Sequence, residues 1–202
     1  MDIADRNIQY YSENAGIFYK KYDGLQFEEI NSPWIHLVSS HRLKVLDIGA
    51  GSGRDAIWLA NKGHEVMAVE PADKLRALAE KKHSHHLIHW VKDSLPSLRL
   101  VTKMGIKFDL ILLNAVWMHI DPIARENAFE TVVKLMNKRS NCVMTLRYGP
   151  SPDKRIMYPV CKRELIRLAE KNKINVVLDI IRDDVFGRSD VSWRTIVFHM
   201  PN

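Results

Sequence analysis

Residues 44–60, KVLDIGAGSGRDAIWLA, decide the fold. Lys44 to Ile48 is a short apolar run interrupted by one acid, Asp47, and it reads as a buried strand. Gly49, Gly51 and Gly53 follow at alternate positions, and from Arg54 the apolar residues Ala56, Leu59 and Ala60 recur at spacings of three and four. The stretch is therefore a strand, a glycine-rich turn and a helix. Glycines let the turn approach a ligand closely. The helix behind them offers unpaired N–H groups and the positive end of its dipole.

The spacing separates this turn from a nicotinamide site. The hydride-transfer fingerprint is G-x-G-x-x-G, whereas the residue three after Gly51 is Arg54, and Gly53 comes one position early. A second short strand, GHEVMAVE, closes on the acid Glu70. Strand, D-x-G-x-G-x-G, helix, strand and acid, in that order, resemble the cofactor-binding half of the class I S-adenosylmethionine (SAM) dependent methyltransferases. The layout is similar to small stand-alone members such as the tellurite-resistance methyltransferases.

From Lys44 onward the chain reads as alternating strands and helices. Pro71 to Lys82 is expected to be a helix, with Pro71 able to open it. His86 to Val91 fits a third strand and ends at Asp93-Ser94, where an Asx turn or cap is the alternative to a ligand role. Phe108 to Leu113 is a fourth strand, continued by NAVWMHIDP. Asp121 before Pro122 has the form of an N-cap for a helix over 123–137. Cys142 to Leu146 is the fifth strand, followed by the polar loop RYGPSPDKRIMYP. Lys162 to Lys171 is helical, and Asn175 to Ile181 and Trp193 to Phe198 alternate as the last two strands. This predicts an α/β, doubly wound, seven-stranded, mostly parallel sheet with an antiparallel C-terminal hairpin, the Rossmann-like methyltransferase fold. Residues 1–202 form one domain: an N-terminal helical lid over 1–40 and a core over 41–202.

Composition narrows the function. No run of eighteen or so apolar residues exists, and the polar, acidic start MDIADRNIQYYSEN does not read as a secretory signal. The two cysteines, Cys142 and Cys161, make no disulfide framework, and a reducing cytoplasm is expected. The net charge of +6 is compatible with a nucleic-acid partner, yet no block of five like charges appears. The histidines of HSHHLIHW lack a Cys or acid at ligand spacing, and strand alternation splits them between faces, so no metal is expected.

The resemblance also assigns roles. It implies that Asp47, the loop Gly49, Ala50, Gly51 and Gly53, with Arg54, Asn114 and Ala115, hold the amino-acid end of SAM. It places Glu70 and Pro71 at the ribose and Asp93 and Ser94 at the adenine. The N-terminal helix of such enzymes lies over the cofactor, which offers Tyr19 and Tyr22 as covering aromatics, with packing as the alternative. Asn114-Ala115-Val116-Trp117 lacks the prolines and tyrosine typical of enzymes that methylate amino groups of DNA bases. His119 and Tyr148 are the candidate bases for an oxygen acceptor; Trp117 is a pocket wall or core residue. The reaction implied is methyl transfer to a small-molecule acceptor, leaving S-adenosylhomocysteine (SAH). An RNA-directed methyltransferase and a non-catalytic SAM-binding module are the alternatives.

Overall fold

A computed structural model describes residues 3–202; the first two residues of the expected lid lie outside them. The chain opens with α1 (Ile3–Glu13), α2 (Ala15–Asp23) and α3 (Phe27–Asn31). Then come β1 (Lys44–Ile48), α4 (Arg54–Asn61), β2 (Glu65–Val69), α5 (Asp73–Lys82), β3 (Ile88–Val91) and α6 (Arg99–Lys103). The second half is β4 (Phe108–Asn114), α7 (Arg125–Leu135), β5 (Met136–Tyr148), α8 (Lys162–Lys171), β6 (Asn175–Asp183) and β7 (Ser192–His199). Short 3-10 turns stand at Ile35–Leu37, Trp117–His119 and Pro122–Ala124.

One seven-stranded sheet has the order β3-β2-β1-β4-β5-β7-β6. β3, β2, β1, β4 and β5 run parallel, and β7 enters antiparallel between β5 and β6. The inner strands are nearly continuous apolar runs because helices cover both faces. On one face Leu46, Ile111, Leu113, Met144 and Leu146 pack with Phe129 and Val132 of α7 and Leu165 and Leu168 of α8. On the other, Val45, Leu110, Leu112 and Val143 meet Ala56 and Leu59 of α4, with Phe27 and Trp34 from the N-terminal segment. Burying each such side chain is worth roughly 1.5–3 kcal/mol relative to exposure. A smaller cluster joins α2 to α5 through Ala15, Phe18, Ala72 and Leu75.

Four boundaries differ from the sequence reading. The helix expected over 123–137 is a 3-10 turn followed by α7, which stops at Leu135; Met136 already pairs with Phe108. The register then shifts until Asn141 faces Leu110, across a polar segment in which Arg139 adopts φ 62°. This irregular pairing has no periodic signature, so the sequence reads as helix end and loop. Pro71 does not open α5; the helix begins at Asp73, after an extended Ala72 whose N–H is held by Glu70. His85 and His86 stack on each other ahead of β3, and His85 Nδ1 accepts from the Leu87 N–H, so the strand starts only at Ile88. The first N-terminal segment is two helices, α1 and α2, divided at Asn14.

The strand order reverses between β1 and β4. In such sheets the carboxyl ends of the strands at the reversal open a crevice for ligands. Here α1 and α2 lie across it, anchored on α5.

Candidate functional site

The glycine loop leaves β1 with three left-handed residues, Gly49 at φ 72°, Gly51 at 58° and Gly53 at 79°. Two of them are forced by the protein itself. A Cβ on Gly49 would stand 2.6 Å from Val116 Cγ2, and one on Gly53 would stand 2.9 Å from the Trp90 ring. A Cβ on Gly51 would meet nothing closer than 3.8 Å. Packing does not demand a glycine's small size at Gly51; its φ of 58° favours glycine, and the space in front of it is open.

Three carboxylates surround this loop. Glu70, at the end of β2, accepts from the N–H of Gly51 at 2.9 Å and of Ala72 at 2.8 Å. Burial nevertheless pushes its carboxyl up to about 7. Asp55, at the first turn of α4, is held by Arg54 Nε at 2.6 Å and by Asn114 Nδ2 at 2.6 Å. Asp47, at the end of β1, is only 2 % exposed, and its Oδ2 has no partner. Burial, and then the nearby charge of Asp55, raise its carboxyl well above the usual range. Asn114 Oδ1 is likewise buried without a donor. Two buried acceptors on neighbouring strands are therefore unsatisfied, at a cost of about 1–3 kcal/mol each. A donor-rich cation supplies what both lack.

A cavity of about 310 Å3 joins these groups, within the size range of small-molecule sites. Of the residues singled out from sequence, Asp47, Gly49, Ala50, Gly51, Arg54, Glu70, Pro71, Asp93, Ser94, Asn114, Ala115 and His119 line it. Gly53, Tyr19 and Tyr148 do not. Gly53 instead heads α4 and makes room for Trp90. Tyr19 turns away and shares a hydrogen bond with His83 Nε2 at 3.1 Å; burial and Asp23 push its phenol up to about 12. Its neighbour Tyr22 lines the cavity, with Tyr11 of α1. Tyr148 shares the face of Leu146 and packs on the core beneath α7 and α8, while Thr145, on the opposite face of β5, reaches the cavity. Trp117 is fully buried against Phe129 and is core.

Two placements alter the expected chemistry. Asp93 accepts from the N–H groups of Ser94, Leu100 and Val101, so its carboxylate caps α6 while lining the cavity. His119 has both ring nitrogens engaged. Asn7 Nδ2 lies 3.3 Å from Nδ1, and the Tyr11 hydroxyl lies 3.1 Å from Nε2. An amide N–H can only donate, which assigns the ring proton to Nε2. Burial, and then the Arg155 guanidinium, lower the imidazole to about 4. So weak a base is a poor proton acceptor at neutral pH. His119 is a neutral wall that orients Tyr11.

The sign of that shift is testable. Between the unfolded value of about 6.5 and the folded value of about 4, only the unfolded chain binds the proton, so stability falls as pH drops. Replacing His119 by Gln is expected to remove about 2 kcal/mol of the stability change between about pH 7 and about pH 5. Urea unfolding of both proteins at the two pH values measures it, and parallel losses in parent and variant would refute the assignment.

The loop after β5 contributes Arg155. It is buried, paired with Asp153 through Nε at 2.8 Å and Nη2 at 2.7 Å. Its Nη1 donates to the hydroxyls of Tyr11 at 2.6 Å and Tyr22 at 3.0 Å. Asn7 fastens the same loop, donating to the Ile156 carbonyl and accepting from its N–H. The loop after β5 and the N-terminal helices thus close the cavity as one polar seam.

Residues 45–139 match the family described as "Methyltransferase domain". This match covers a little under half of the chain and supports a likeness to the class I SAM-dependent methyltransferase superfamily. It is 29% identical over 97 residues to an uncharacterized methyltransferase of Staphylococcus carnosus (strain TM300), covering 48% of this chain and 44% of that protein. It is 32% identical over 98 residues to the protein arginine N-methyltransferase PRMT10 of Arabidopsis thaliana, covering 46% of this chain and 24% of that one. Each match thus spans less than half of its curated relative. The 1,6-didemethyltoxoflavin-N1-methyltransferase of Burkholderia thailandensis, solved with 1,6-didemethyltoxoflavin and SAH bound, superposes with a TM-score of 0.70 at 16% identity. That superposition covers 100% of this chain and 92% of the other, and at this identity it establishes the Rossmann-like methyltransferase fold. No helix of the described residues is long and apolar enough to cross a membrane.

Proposed function

We propose that the cavity binds SAM and that the chain transfers its methyl group to a small-molecule acceptor. The observation that carries this reading is the pair of unsatisfied buried acceptors, Asp47 Oδ2 and Asn114 Oδ1, beside a glycine loop. An ammonium supplies three donors and meets both, so the amino-acid end of SAM fits there. Glu70, at the end of the adjacent strand β2, accepts from vicinal hydroxyls. The apolar Leu95 offers a flat ring a face beside Asp93 and Ser94.

Bound SAM supplies an activated methyl group on a sulfonium. What remains for the chain is to fix the acceptor in line with that group and to keep water out; proximity supplies most of the rate. The seam of Arg155, Tyr11 and Tyr22 closes the site above, and Val116 and His119 wall it from the β4 side. With His119 neutral and fully hydrogen-bonded, and Tyr148 outside the cavity, neither of the two candidate bases stands ready. A nitrogen or thiolate nucleophile suits this site better than an alcohol. The curated matches each span about half the chain, which leaves protein and RNA acceptors as outcomes of an acceptor screen.

Calorimetric titration with SAH at several pH values tests the cofactor assignment. Glu70 must be ionised to accept two hydroxyl donors, and its folded value is about 7. Below that value binding has to expel a proton, so affinity should fall up to ~10-fold per pH unit and level off above it. Asp47 pushes the dependence in the same direction. Glu70→Gln is expected to weaken SAH binding by ~1–3 kcal/mol above neutrality and to flatten the dependence. SAH affinity that is constant with pH and equal in Glu70→Gln, or binding of NADH in its place, would overturn the reading. Tight SAH binding without turnover of any acceptor would make the chain a binding module.

A further inference from the structure

Beyond the cofactor groups the cavity continues between α3 and the β6–β7 connection. Leu25, Ile30, Val185, Phe186 and Trp193 give this lobe its apolar surface, with Arg182 and Asp183 also in its lining. Phe186 is 47 % exposed, a large ring left in solvent at the rim. Two cations flank it: Lys21 Nζ lies 5.2 Å and Arg188 Cζ 5.4 Å from the ring centroid. They come from α2 and from the β6–β7 loop, so the two sides of the rim each contribute one.

Acids and cations are mixed here, with Asp183 in the lining and Asp190 beside Arg147 and Arg188, yet Lys21 is left without a carboxylate partner. Asp184 is already saturated: Arg188 grips it through Nε at 2.9 Å and Nη2 at 2.7 Å, and Trp193 Nε1 and the Phe186 N–H also donate to it. Asp153 is committed to Arg155. Arg147 finds only the carbonyls of Gly149 and Pro150 and the Met157 sulfur. Lys21 forms no ion pair among the described residues. Burial, and then the charges of Arg188 and Arg155, lower both Lys21 and Arg147 from their usual values, against a smaller opposite pull of Asp153 and Asp184 on Lys21 and of Asp184 and Asp190 on Arg147. Cations held together against repulsion are relieved by a bound anion.

We propose that this lobe takes an acceptor with an apolar or aromatic body and one anionic group, the body lying on Phe186 and Trp193 and the anion held between Lys21 and Arg188. The inference rests on the methyl-transfer reading of the same cavity. It narrows the acceptor from any small molecule to organic acids of this shape, whether carboxylate, sulfonate or phosphate. An apolar contact surface with one placed charge is the usual make-up of a small-molecule site. Lys21, exposed and without an ion pair, can be changed without leaving a buried carboxylate unpaired.

Two fluorescent probes with the same ring system separate the charge from the apolar body: 8-anilinonaphthalene-1-sulfonate and the neutral N-phenyl-1-naphthylamine. With SAH present, the sulfonate is expected to bind at least ~10-fold more tightly, a difference of about 1.4 kcal/mol, and to weaken with added salt while the neutral probe does not. Lys21→Glu should erase the preference, and Lys21→Arg should keep it. 1-Naphthoate and 1-naphthyl phosphate, used as competitors, then tell which anion is preferred. Equal affinity for the two probes, or a preference untouched by Lys21→Glu, would overturn the proposal. SAH titration of Lys21→Glu separates the two readings. Loss of probe preference with SAH binding intact supports the anion site. A parent protein that discriminates the probes and ignores SAH would sink the methyl-transfer reading alone.

Discussion

Gly51→Val is expected to abolish SAH binding in a protein that still folds. The glycine sits at φ 58°, and a Cβ built there lies 3.8 Å from both the Gly49 carbonyl oxygen and Tyr22 Cδ2, ordinary contact distances. The added methyl groups therefore point into the cavity and not into the protein. A left-handed conformation costs a non-glycine residue roughly 1–2 kcal/mol, and somewhat more for a β-branched one. That loss lowers the unfolding free energy without emptying the native state, since domains typically have about 5–15 kcal/mol. Ligand atoms that lie against the loop backbone meet a different outcome, because two sets of atoms cannot share the space. Moving a micromolar Kd past about 1 mM is a loss of ~4 kcal/mol, and calorimetry should reach that limit. Urea unfolding on the same preparation should give a cooperative transition at a modestly lower midpoint. A variant that binds SAH as the parent does would show that the loop does not touch the ligand.

The same loop explains how much of the molecule was legible in its sequence. β1, the glycine turn, α4, β2 and Glu70 are local: apolar period, turn residues and strand-end acids lie within a few residues of one another. In an open α/β sheet a strand-end residue is also a crevice residue, which is why Asp47, Glu70, Asp93 and Asn114 all line the cavity. Position alone did not reveal what each side chain was doing. Asp93 reads from sequence as either a ligand group or a cap, and its carboxylate accepts from the N–H groups of Ser94 and of Leu100 and Val101 in α6. Tyr19 and Tyr22 are equivalent by composition, and only the rotation of α2 on α5 sends one to His83 and the other to the cavity. The closing seam was the least legible part. Asn7 meets the backbone of Ile156, and Tyr11 meets Arg155, across more than half the chain. No periodicity or spacing encodes such contacts; they exist only after the sheet has set its ends together. The switch of Met136 from expected helix to strand has the same origin, since its pairing partner is Phe108.

The second large effect is on stability and lies outside the cavity. Gly149→Ala is expected to lose ~2–6 kcal/mol of unfolding free energy, the sum of a forbidden backbone angle at ~1–3 and an overpacked contact at ~1–3. Gly149 follows the last residue of β5 at φ 116°, a region that L residues avoid. A Cβ there falls well inside contact distance of the Asp190 carbonyl oxygen and 3.3 Å from both the Asp190 carbonyl carbon and Val191 Cα. All three are backbone atoms leading into β7, so no side chain can rotate away. Relief requires moving either the exit of β5 or the entry of β7, and the adjacent Tyr148–Ser192 pair ties the two together. The Gly149 carbonyl also accepts from Arg147 Nη1, so a shift disturbs a half-satisfied guanidinium as well. Gly63→Ala is the matched control: φ is 91° and nothing lies within 4 Å of its Cβ, so it carries the backbone cost alone. Urea unfolding should therefore place Gly149→Ala clearly below Gly63→Ala, by about the 1–3 kcal/mol of the contact. Equal losses in the two variants would remove the steric argument and leave only the angle. SAH affinity of the folded Gly149→Ala protein should match the parent, because the residue does not line the cavity.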